Sequence, residues 1–243
     1  MDAWQLEPAR DLGKSGMDRY RCLQRESGLV ESSMRLMWWL FLRTAFRAWN
    51  GLTIRGGENL PAKPPFVLVA NHGGHLDALL LSTLLPLRLR DVTFPMAARD
   101  VFFEQRWLAA FSALVLNALP VFRGAAGRHS WADMRARLLD DQCILILFPE
   151  GTRTRTGVMG EFKPGVGMLV AETPVPVVPC HIAGAYEAMP PGTAFIRPRR
   201  INIRLGPPQL FHDAPNSREG WEHCAQRLQE AVSNLQDTAA ERG

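Results

Sequence analysis

The sequence predicts an α/β fold: a single domain with a mixed, largely parallel central sheet flanked by helices, preceded by an amphipathic N-terminal helix. Two unbroken apolar runs, Phe66–Ala70 (FVLVA) and residues 143–148 (CILILF), have the composition of strands that are buried on both faces. Segments with helical spacing alternate with strands along most of the chain, as they do around parallel sheets. In that architecture ligands bind where strands end, so the chemistry is expected in the loops that follow strands.

The composition is that of a globular protein large enough for one core. Of the 243 residues, 47% are hydrophobic and 21% are charged, which excludes a disordered tail, a fibrous repeat and a small disulfide scaffold. The net charge is +4, and only three of the 28 Lys and Arg residues are lysines. Because arginine suits bidentate phosphate binding and no dense basic run is present, the expected partner is a phosphate or an anionic membrane surface, and no nucleic acid is expected.

The chain is predicted to contain three units. Residues 1–30 are polar and are predicted to form a loosely held leader, residues 31–50 an amphipathic membrane-associating helix, and residues 51–240 the α/β domain. The leader lacks the apolar core of a secretory signal, and the four cysteines lie far apart without a CxxC pair. These features are typical of a protein in a reducing compartment, so the expected location is cytoplasmic.

Residues 34–49 have the pattern of an amphipathic helix. Three arginines (Arg35, Arg43 and Arg47) share one face. The other face is apolar and consists of Met34, Met37, Trp38, Phe41, Leu42, Ala45 and Trp49. Either this face packs on the core with the arginines in water, or the helix lies in the lipid headgroup region, where Trp and Arg are both favoured.

No membrane span is expected. The longest apolar stretch without charge, residues 107–122, is broken by Pro120 and is shorter than the roughly 20 residues that cross a bilayer. The elements of the α/β domain are then predicted in order. Strands are expected at residues 52–55, 66–70, 92–96, 143–148, 175–182 and 201–205, and helices at residues 76–85, 103–116, 130–140, 166–171 and 217–235.

The loop after the first buried strand carries a histidine and a carboxylate. His72 and Asp77 are five residues apart, with two glycines between them that let the chain turn. A carboxylate that holds an imidazole fixes its tautomer and stabilises the imidazolium formed when a proton is taken. The pair is therefore a candidate general base, and the alternative at this point is a structural loop.

Two further loops offer anion ligands. The turn Glu150-Gly151-Thr152-Arg153 follows the second buried strand and presents backbone N–H groups, a hydroxyl and a guanidinium. An ordinary surface turn, in which Glu150 pairs with Arg153, is the alternative. The third loop contains Arg123 and Gly124 after an apolar stretch, and a lone arginine there is more often a solvated strand end.

Together these blocks resemble the glycerolipid acyltransferase family, whose best-known members are the 1-acylglycerol-3-phosphate acyltransferases. The blocks occur in the family's order: Asn71-His72-x4-Asp77, then Phe122-Arg123-Gly124, then residues 148–153 (FPEGTR), then a proline-bearing apolar strand at residues 175–179. A Phe-Lys-x-Gly turn at Lys163 is also similar to one found in such proteins. The resemblance covers roughly residues 50 to 210 and makes residues 51–240 an expected acyltransferase domain.

The resemblance implies a mechanism and a set of site residues. His72, oriented by Asp77, would deprotonate the hydroxyl of a lysophospholipid, most simply 1-acylglycerol 3-phosphate, which attacks the thioester of acyl-CoA or acyl-acyl carrier protein to give phosphatidic acid. No cofactor and no metal are expected. Substrate binding is assigned to Arg123, Gly124, Glu150, Gly151, Thr152 and Arg153, with Arg123 and Arg153 on the phosphate and Glu150 orienting its turn. The enzyme would be peripheral, on the cytoplasmic face of the membrane.

Other functions compete with this assignment. The four blocks allow another lysolipid or an amino-lipid as acceptor. Taken without the family, His72, His75 and Asp77 could bind a metal ion in a hydrolase, although no second His/Asp cluster completes such a site. A serine hydrolase lacks its G-x-S-x-G motif here, and a non-catalytic lipid-binding module would not require both His72 and Asp77. Within the resemblance, His75 has no catalytic role.

Overall fold

The computed structural model describes residues 8–121, 127–190, 192–193 and 195–240. In this part of the chain seven strands form one sheet in the order β1-β7-β6-β2-β5-β3-β4. The strands are β1 (Thr53–Arg55), β2 (Phe66–Ala70), β3 (Thr93–Ala98), β4 (Leu119–Val121), β5 (Ile144–Leu147), β6 (Val177–Ala183) and β7 (Asn202–Leu205). Among them only the β6–β7 pairing is antiparallel. The predicted mixed, largely parallel sheet is confirmed.

The two apolar runs form the centre of the sheet. Strands β2 and β5 are neighbours, with Val69 opposite Leu147, and every residue of both strands is buried. Alternate residues face opposite sides: Val67 and Val69 pack into one apolar cluster, and Phe66 and Leu68 into the other. Burial on both faces explains why these strands are apolar at every position.

Helices cover both faces of the sheet. They are α1 (Gly16–Tyr20), α2 (Leu29–Asn50), α3 (Leu76–Leu84), α4 (Arg99–Phe102), α5 (Arg106–Ala110), α6 (Gly127–Asp140), α7 (Gly165–Val170), α8 (Ala185–Ala188) and α9 (Arg218–Ala240). Helices α6, α7 and α9 pack on one face and α2, α3 and α8 on the other. Helix α7 approaches α9 so closely that a Cβ on Gly167 would lie 2.3 Å from Cα of Trp221.

The structure differs from the predicted elements at one helix and adds one strand. In place of the helix predicted at residues 103–116, α5 covers Arg106–Ala110 and is followed directly by a π-helical turn, Phe111–Val115. The chain then forms β4, which the sequence analysis does not predict, because its three residues carry no periodicity. Asn117, two residues before β4, has a φ of 56°. This is a left-handed conformation that Asn tolerates better than most residues.

Helix α2 departs from the predicted pattern at Arg35, whereas Leu42 is buried and Arg47 is exposed as the pattern expects. Arg35, placed on the solvent face by the sequence pattern, is 3% exposed, and its Nε donates to Oδ1 of Asp91 over 3.0 Å. Met37 and Phe41, assigned to the packed or lipid-facing side, are 67% and 60% exposed. The buried stripe runs through Arg35, Leu42, Phe46 and Asn50, because an acidic partner on another element outweighs the usual exposure of arginine.

The segment before α2 is not loosely held over its described residues, 8–28. The guanidinium of Arg21 donates to the carbonyl of Phe103 over 2.7 Å, and that of Arg25 to the carbonyl of Ala118 over 3.1 Å. Arg25 is almost fully buried. These arginines satisfy carbonyls at the ends of other elements, which attaches the predicted leader to the domain.

None of the described helices is both long enough and apolar enough to span a membrane. The cysteines Cys22, Cys143, Cys180 and Cys224 are buried free thiols.

Candidate active site

The loops after β2 and β5 meet because these strands are parallel neighbours. Asn71 follows the last residue of β2 and binds the neighbouring strand β6. Its Oδ1 accepts from the N–H of Ile182 over 2.8 Å, and its Nδ2 donates to the carbonyl of Ile182 over 3.0 Å. The next residue, His72, thus leaves the sheet from a backbone held on one side by β6. The loop of residues 148–153 leaves β5 on the other side.

His72 and Asp77 form the predicted pair. Nδ1 of His72 lies 2.8 Å from Oδ2 of Asp77, and the same oxygen accepts from the N–H of Gly74 over 2.8 Å. Asp77 is fully buried in the first turn of α3, where the helix dipole favours a carboxylate. With Nδ1 donating to the carboxylate, Nε2 of His72 is left free to take a proton.

An aromatic ring holds the imidazole from one face. The ring of Phe148 is stacked on that of His72, with 4.3 Å between centroids and 16° between planes. His72 remains 21% exposed at its side chain. The imidazole of His72 is therefore fixed in orientation while part of it remains open to the cavity.

Glu150 binds the backbone of His72. Its Oε1 accepts from the N–H of His72 over 2.6 Å and its Oε2 from the N–H of Gly160 over 2.8 Å. The carbonyl of His72 accepts from the N–H of Thr154 over 3.0 Å. Burial raises the pKa of Glu150 above its ordinary value, and the two N–H donors oppose that rise. Glu150 is expected to orient its turn within the substrate-binding set; the residue is 6% exposed, and both of its carboxylate oxygens accept from backbone N–H groups.

Arg153 lies at the edge of the site, where it contacts a histidine. Its Nη1 donates to Nε2 of His75. Burial and the Arg153 charge lower the pKa of His75, so the neutral imidazole is the acceptor in this bond. His75 is expected from the sequence to have no catalytic role in an acyltransferase, or to be a metal ligand in the alternative reading as a hydrolase; its contact with Arg153 is not predicted.

A lysine adds a second cation beside Arg153. Gly151 has a φ of 70°, and a Cβ placed on it would lie 3.0 Å from Nζ of Lys163. The ammonium group of Lys163 therefore lies against the turn at Gly151. Lys163 appears in the sequence analysis as part of a turn but is not named as a ligand, because nothing in its spacing relates it to Gly151.

These groups surround a cavity of about 560 Å³, a size typical of small-molecule sites. His72, His75, Thr152, Arg153 and Lys163 lie on its wall. The remaining wall is mainly apolar and includes Leu79, Met96, Val101, Phe102, Leu108, Phe111, Leu116, Trp131, Leu147 and Met168. The cavity thus combines a polar edge with an apolar interior.

The structure brings together most of the predicted site. His72, Glu150, Gly151, Thr152 and Arg153 come from two adjacent loops, and Asp77 from the first turn of α3. Arg123 and Gly124 lie outside the described residues. Within the described ranges no group of three or more His, Cys, Asp or Glu side chains is arranged to hold a metal ion; His75 faces Arg153 while Asp77 binds His72.

Comparisons with known proteins agree with this geometry. A family model described as Acyltransferase matches residues 51–183. The 1-acyl-sn-glycerol-3-phosphate acyltransferase of Bacillus subtilis is 29% identical over 195 residues, which are 76% of this chain and 92% of that protein. The mouse alpha enzyme of the same name is 26% identical over 180 residues, 72% of this chain. The chain spans 61% of the mouse protein and 54% of a Limnanthes douglasii relative.

A solved structure has the same fold. The crystal structure of the 1-acyl-sn-glycerophosphate (LPA) acyltransferase, PlsC, from Thermotoga maritima superposes with a TM-score of 0.61 and 23% identity. The match covers 86% of this chain and 81% of that one.

Proposed function

The chain belongs to the Acyltransferase family, and from this premise we propose that it moves a fatty acyl group from a thioester to the hydroxyl of a lysophospholipid. The acceptor that fits best is 1-acylglycerol 3-phosphate, and the product is then phosphatidic acid. The donor is acyl-CoA or acyl-acyl carrier protein. The relatives' names and the two cations beside the base support this choice of acceptor.

In the proposed reaction His72 is the general base. Its Nε2 takes the proton of the acceptor hydroxyl while the oxygen attacks the thioester carbonyl carbon. The C–S bond then breaks, the sulfur takes the proton back from the imidazolium, and free thiol and ester leave. The carboxylate of Asp77, 2.8 Å from Nδ1, stabilises the imidazolium through a charge-assisted bond. No covalent acyl-enzyme is needed.

The cations at the edge of the cavity are the proposed phosphate ligands. Arg153 offers a guanidinium fork and Lys163 an ammonium, both on the cavity wall. Arg123, with Gly124, remains an expected contributor on the family resemblance. Thr152 and the backbone of Gly151 complete the proposed anion site.

The apolar part of the cavity is the proposed acyl site. Phe102, Phe111 and Met168 lie on its wall, and each methylene moved there from water is stabilised by about 0.8 kcal/mol. An acyl chain of ordinary length is thereby bound with its thioester near His72.

We further propose that the enzyme sits on the membrane surface, on the cytoplasmic face, through α2. Its exposed side carries Met34, Met37, Leu40 and Phe41, which is more apolar than a water-facing helix needs to be. Such a face fits the boundary between headgroups and acyl chains. A lipid acceptor would reach the cavity from the same surface.

The oriented pair of His72 and Asp77 on the wall of an apolar cavity is the observation that carries the proposal. It is tested by thiol release from long-chain acyl-CoA, and separately from acyl-acyl carrier protein, in liposomes with and without 1-acylglycerol 3-phosphate and with EDTA. His72→Ala is compared with His212→Ala, an exposed histidine remote from the cavity. Release should require the acceptor, persist in EDTA and in His212→Ala, and disappear in His72→Ala.

Other outcomes point to other functions. Release without an acceptor would identify a thioesterase, and release abolished by EDTA a metal-dependent enzyme. Release with a different lysolipid or an amino-lipid alone would change the acceptor. No release with any donor and acceptor would favour a lipid-binding module without catalysis.

A further inference from the structure

A tyrosine outside the blocks that carry the family resemblance contacts both loops of the candidate site. Tyr186 lies on α8, the short helix that follows β6, and it is half-buried. Its neighbours Ala185 and Ala188 are buried in the apolar cluster on the α2 side of the sheet. Because these two side chains attach α8 to the core, the backbone that carries Tyr186 has a fixed place beside the site.

The backbone of this helix packs against the two glycines that follow His72. A Cβ placed on Gly73 would lie 3.5 Å from the backbone nitrogen of Tyr186 and 3.6 Å from its Cβ. A Cβ placed on Gly74 would lie 3.4 Å from the carbonyl oxygen of Met189. These are ordinary contact distances, so the residues around Tyr186 support the turn that begins at the proposed base.

The side chain of Tyr186 holds the loop after β5. Its hydroxyl donates to the carbonyl of Arg155 over 2.9 Å. Its ring lies against Gly157, where a Cβ would be 3.2 Å from Cδ1 of the tyrosine and where the φ of 83° favours glycine. Since Arg155 is two residues after Arg153, the tyrosine holds the segment directly beyond the proposed phosphate ligand.

Residues 155–159 have few other attachments. The N–H groups of Thr156 and Gly157 donate to Oγ1 of Thr154, within the same loop. Among the residues that the structure describes, the bond from the Tyr186 hydroxyl is the one hydrogen bond that joins residues 155–159 to another element. The position of this segment therefore depends on a single side chain of α8.

We propose that Tyr186 is a positioning residue, which clamps the loop of Arg153 against the loop of His72 and thereby increases the affinity for the phosphate of the acceptor. The identity of the acceptor rests on the proposed function, whereas the clamp does not. The reacting hydroxyl and the phosphate belong to one small molecule, so Arg153 binds productively only at a fixed distance from His72. A loop that leaves this arrangement binds the phosphate more weakly, because affinity falls with the fraction of molecules in the competent state.

Tyr186→Phe tests the clamp by kinetics, because it removes the hydroxyl and keeps the ring. KM for 1-acylglycerol 3-phosphate should rise roughly 3–10-fold, the effect of one neutral hydrogen bond, in the thiol-release assay. Both kcat and the KM for a neutral monoacylglycerol should change by less than about twofold, since the base and the acyl site are unaltered. Tyr20→Phe, at the other tyrosine of the chain, should match the parent. An equal rise in KM for both acceptors, or no rise, would overturn the link to phosphate binding.

Hydrogen exchange tests the clamp without any substrate. The amide hydrogens of Thr154 and Gly157, both hydrogen-bonded, should exchange roughly 3–10-fold faster in Tyr186→Phe, because the loop opens more often. Those of β5 should exchange at the parent's rate, as should all of them in Tyr20→Phe. Equal exchange in Tyr186→Phe and the parent would overturn the clamp. If the parent transfers no acyl group to any acceptor, the proposed function fails, and the exchange rates alone decide whether the clamp exists.

Discussion

The backbone N–H of His72 donates to Oε1 of Glu150 over 2.6 Å, across 78 residues of sequence. This bond joins the loop of the proposed base to the loop of the proposed phosphate ligand. The second oxygen of Glu150 holds Gly160, so three chain segments meet at one buried carboxylate. The position of His72 relative to Arg153 therefore depends on a residue that contacts no substrate in our proposal.

Glu150→Gln is expected to impair the base without removing it. The amide nitrogen would face one of the two N–H donors, which loses a bond and costs about 1–3 kcal/mol of unfolding free energy. We expect kcat to fall roughly 10–100-fold because His72 shifts, with little change in KM for either substrate. Steady-state kinetics and chemical unfolding measure both effects. Glu161→Gln, an exposed neighbour, should behave as the unaltered enzyme, and an unchanged kcat in Glu150→Gln would show that the bond does not position the base.

Asp77→Asn should reduce turnover more strongly. The neutral amide keeps the shape of the carboxylate but no longer stabilises the imidazolium or selects its tautomer, a change that lowers kcat about 10⁴-fold in a comparable triad. We expect a fall of roughly 10³–10⁴ with KM nearly constant, measured by thiol release. Asp133→Asn, an exposed aspartate, is the control. A fall of less than tenfold would leave Asp77 a structural residue.

Arg153→Ala should discriminate between acceptors. Losing a charge-assisted bond to phosphate removes about 1.5–3 kcal/mol, so KM for 1-acylglycerol 3-phosphate should rise roughly 10–100-fold. KM for a neutral monoacylglycerol should change little. Arg155→Ala, exposed and two residues away, provides the matched comparison. Equal effects on both acceptors would argue against phosphate recognition by Arg153.

The contact between His75 and Arg153 makes the site sensitive to acid. Burial and Arg153 place the pKa of His75 below its ordinary 6.5. Protons therefore bind more readily to the unfolded chain, so this contribution to stability is complete above pH 6.5 and is lost as pH falls through the folded pKa. We expect Tm to drop more between pH 7 and pH 5 in the unaltered protein than in His75→Gln, whose amide oxygen accepts at every pH. His212→Gln is the control. If the fall in Tm between pH 7 and pH 5 is the same in the unaltered protein, in His75→Gln and in His212→Gln, the contact between His75 and Arg153 does not make stability depend on pH.

The exposed face of α2 predicts vesicle binding. Met37→Ser combined with Phe41→Ser removes two exposed apolar side chains, each worth about 1.5–3 kcal/mol if fully buried in lipid. Partial burial should make binding to anionic liposomes roughly 10–100-fold weaker in a sedimentation assay. Leu210→Ser is the control. It replaces an exposed leucine next to Gln209, which pairs with Val177 at the start of β6, and should have no effect on vesicle binding. Equal binding by the double variant and the parent would exclude α2 as the membrane contact.

The central fold and the contact of His72 with Asp77 could be predicted from the sequence because both depend on local signals. The buried strands are visible as apolar runs, and His72 and Asp77 lie close enough in sequence for one turn to join them. The burial of Arg35 in α2 could not be predicted in this way. A helical wheel assigns Arg35 to water, whereas its partner Asp91 lies 56 residues away on another element.

The same limit applies to the walls of the site. His75 reaches Arg153 because β2 and β5 are adjacent in the sheet, and Lys163 reaches Gly151 because the connection after β5 folds back on itself. Glu150 is expected from the sequence to orient its turn, but its two partners, the N–H groups of His72 and Gly160, could not be named in advance. They depend on how the buried loops pack, which a pattern of residue types does not determine.

The bonds between Asn71 and Ile182 span 111 residues, and this has a consequence during synthesis. Until residue 182 has left the ribosome, the end of β2 has no neighbour on that side, so the loop that carries His72 is supported by β5 alone. Long-range pairings of this kind form late. The second support of this loop is therefore added only after about three quarters of the chain has been synthesised.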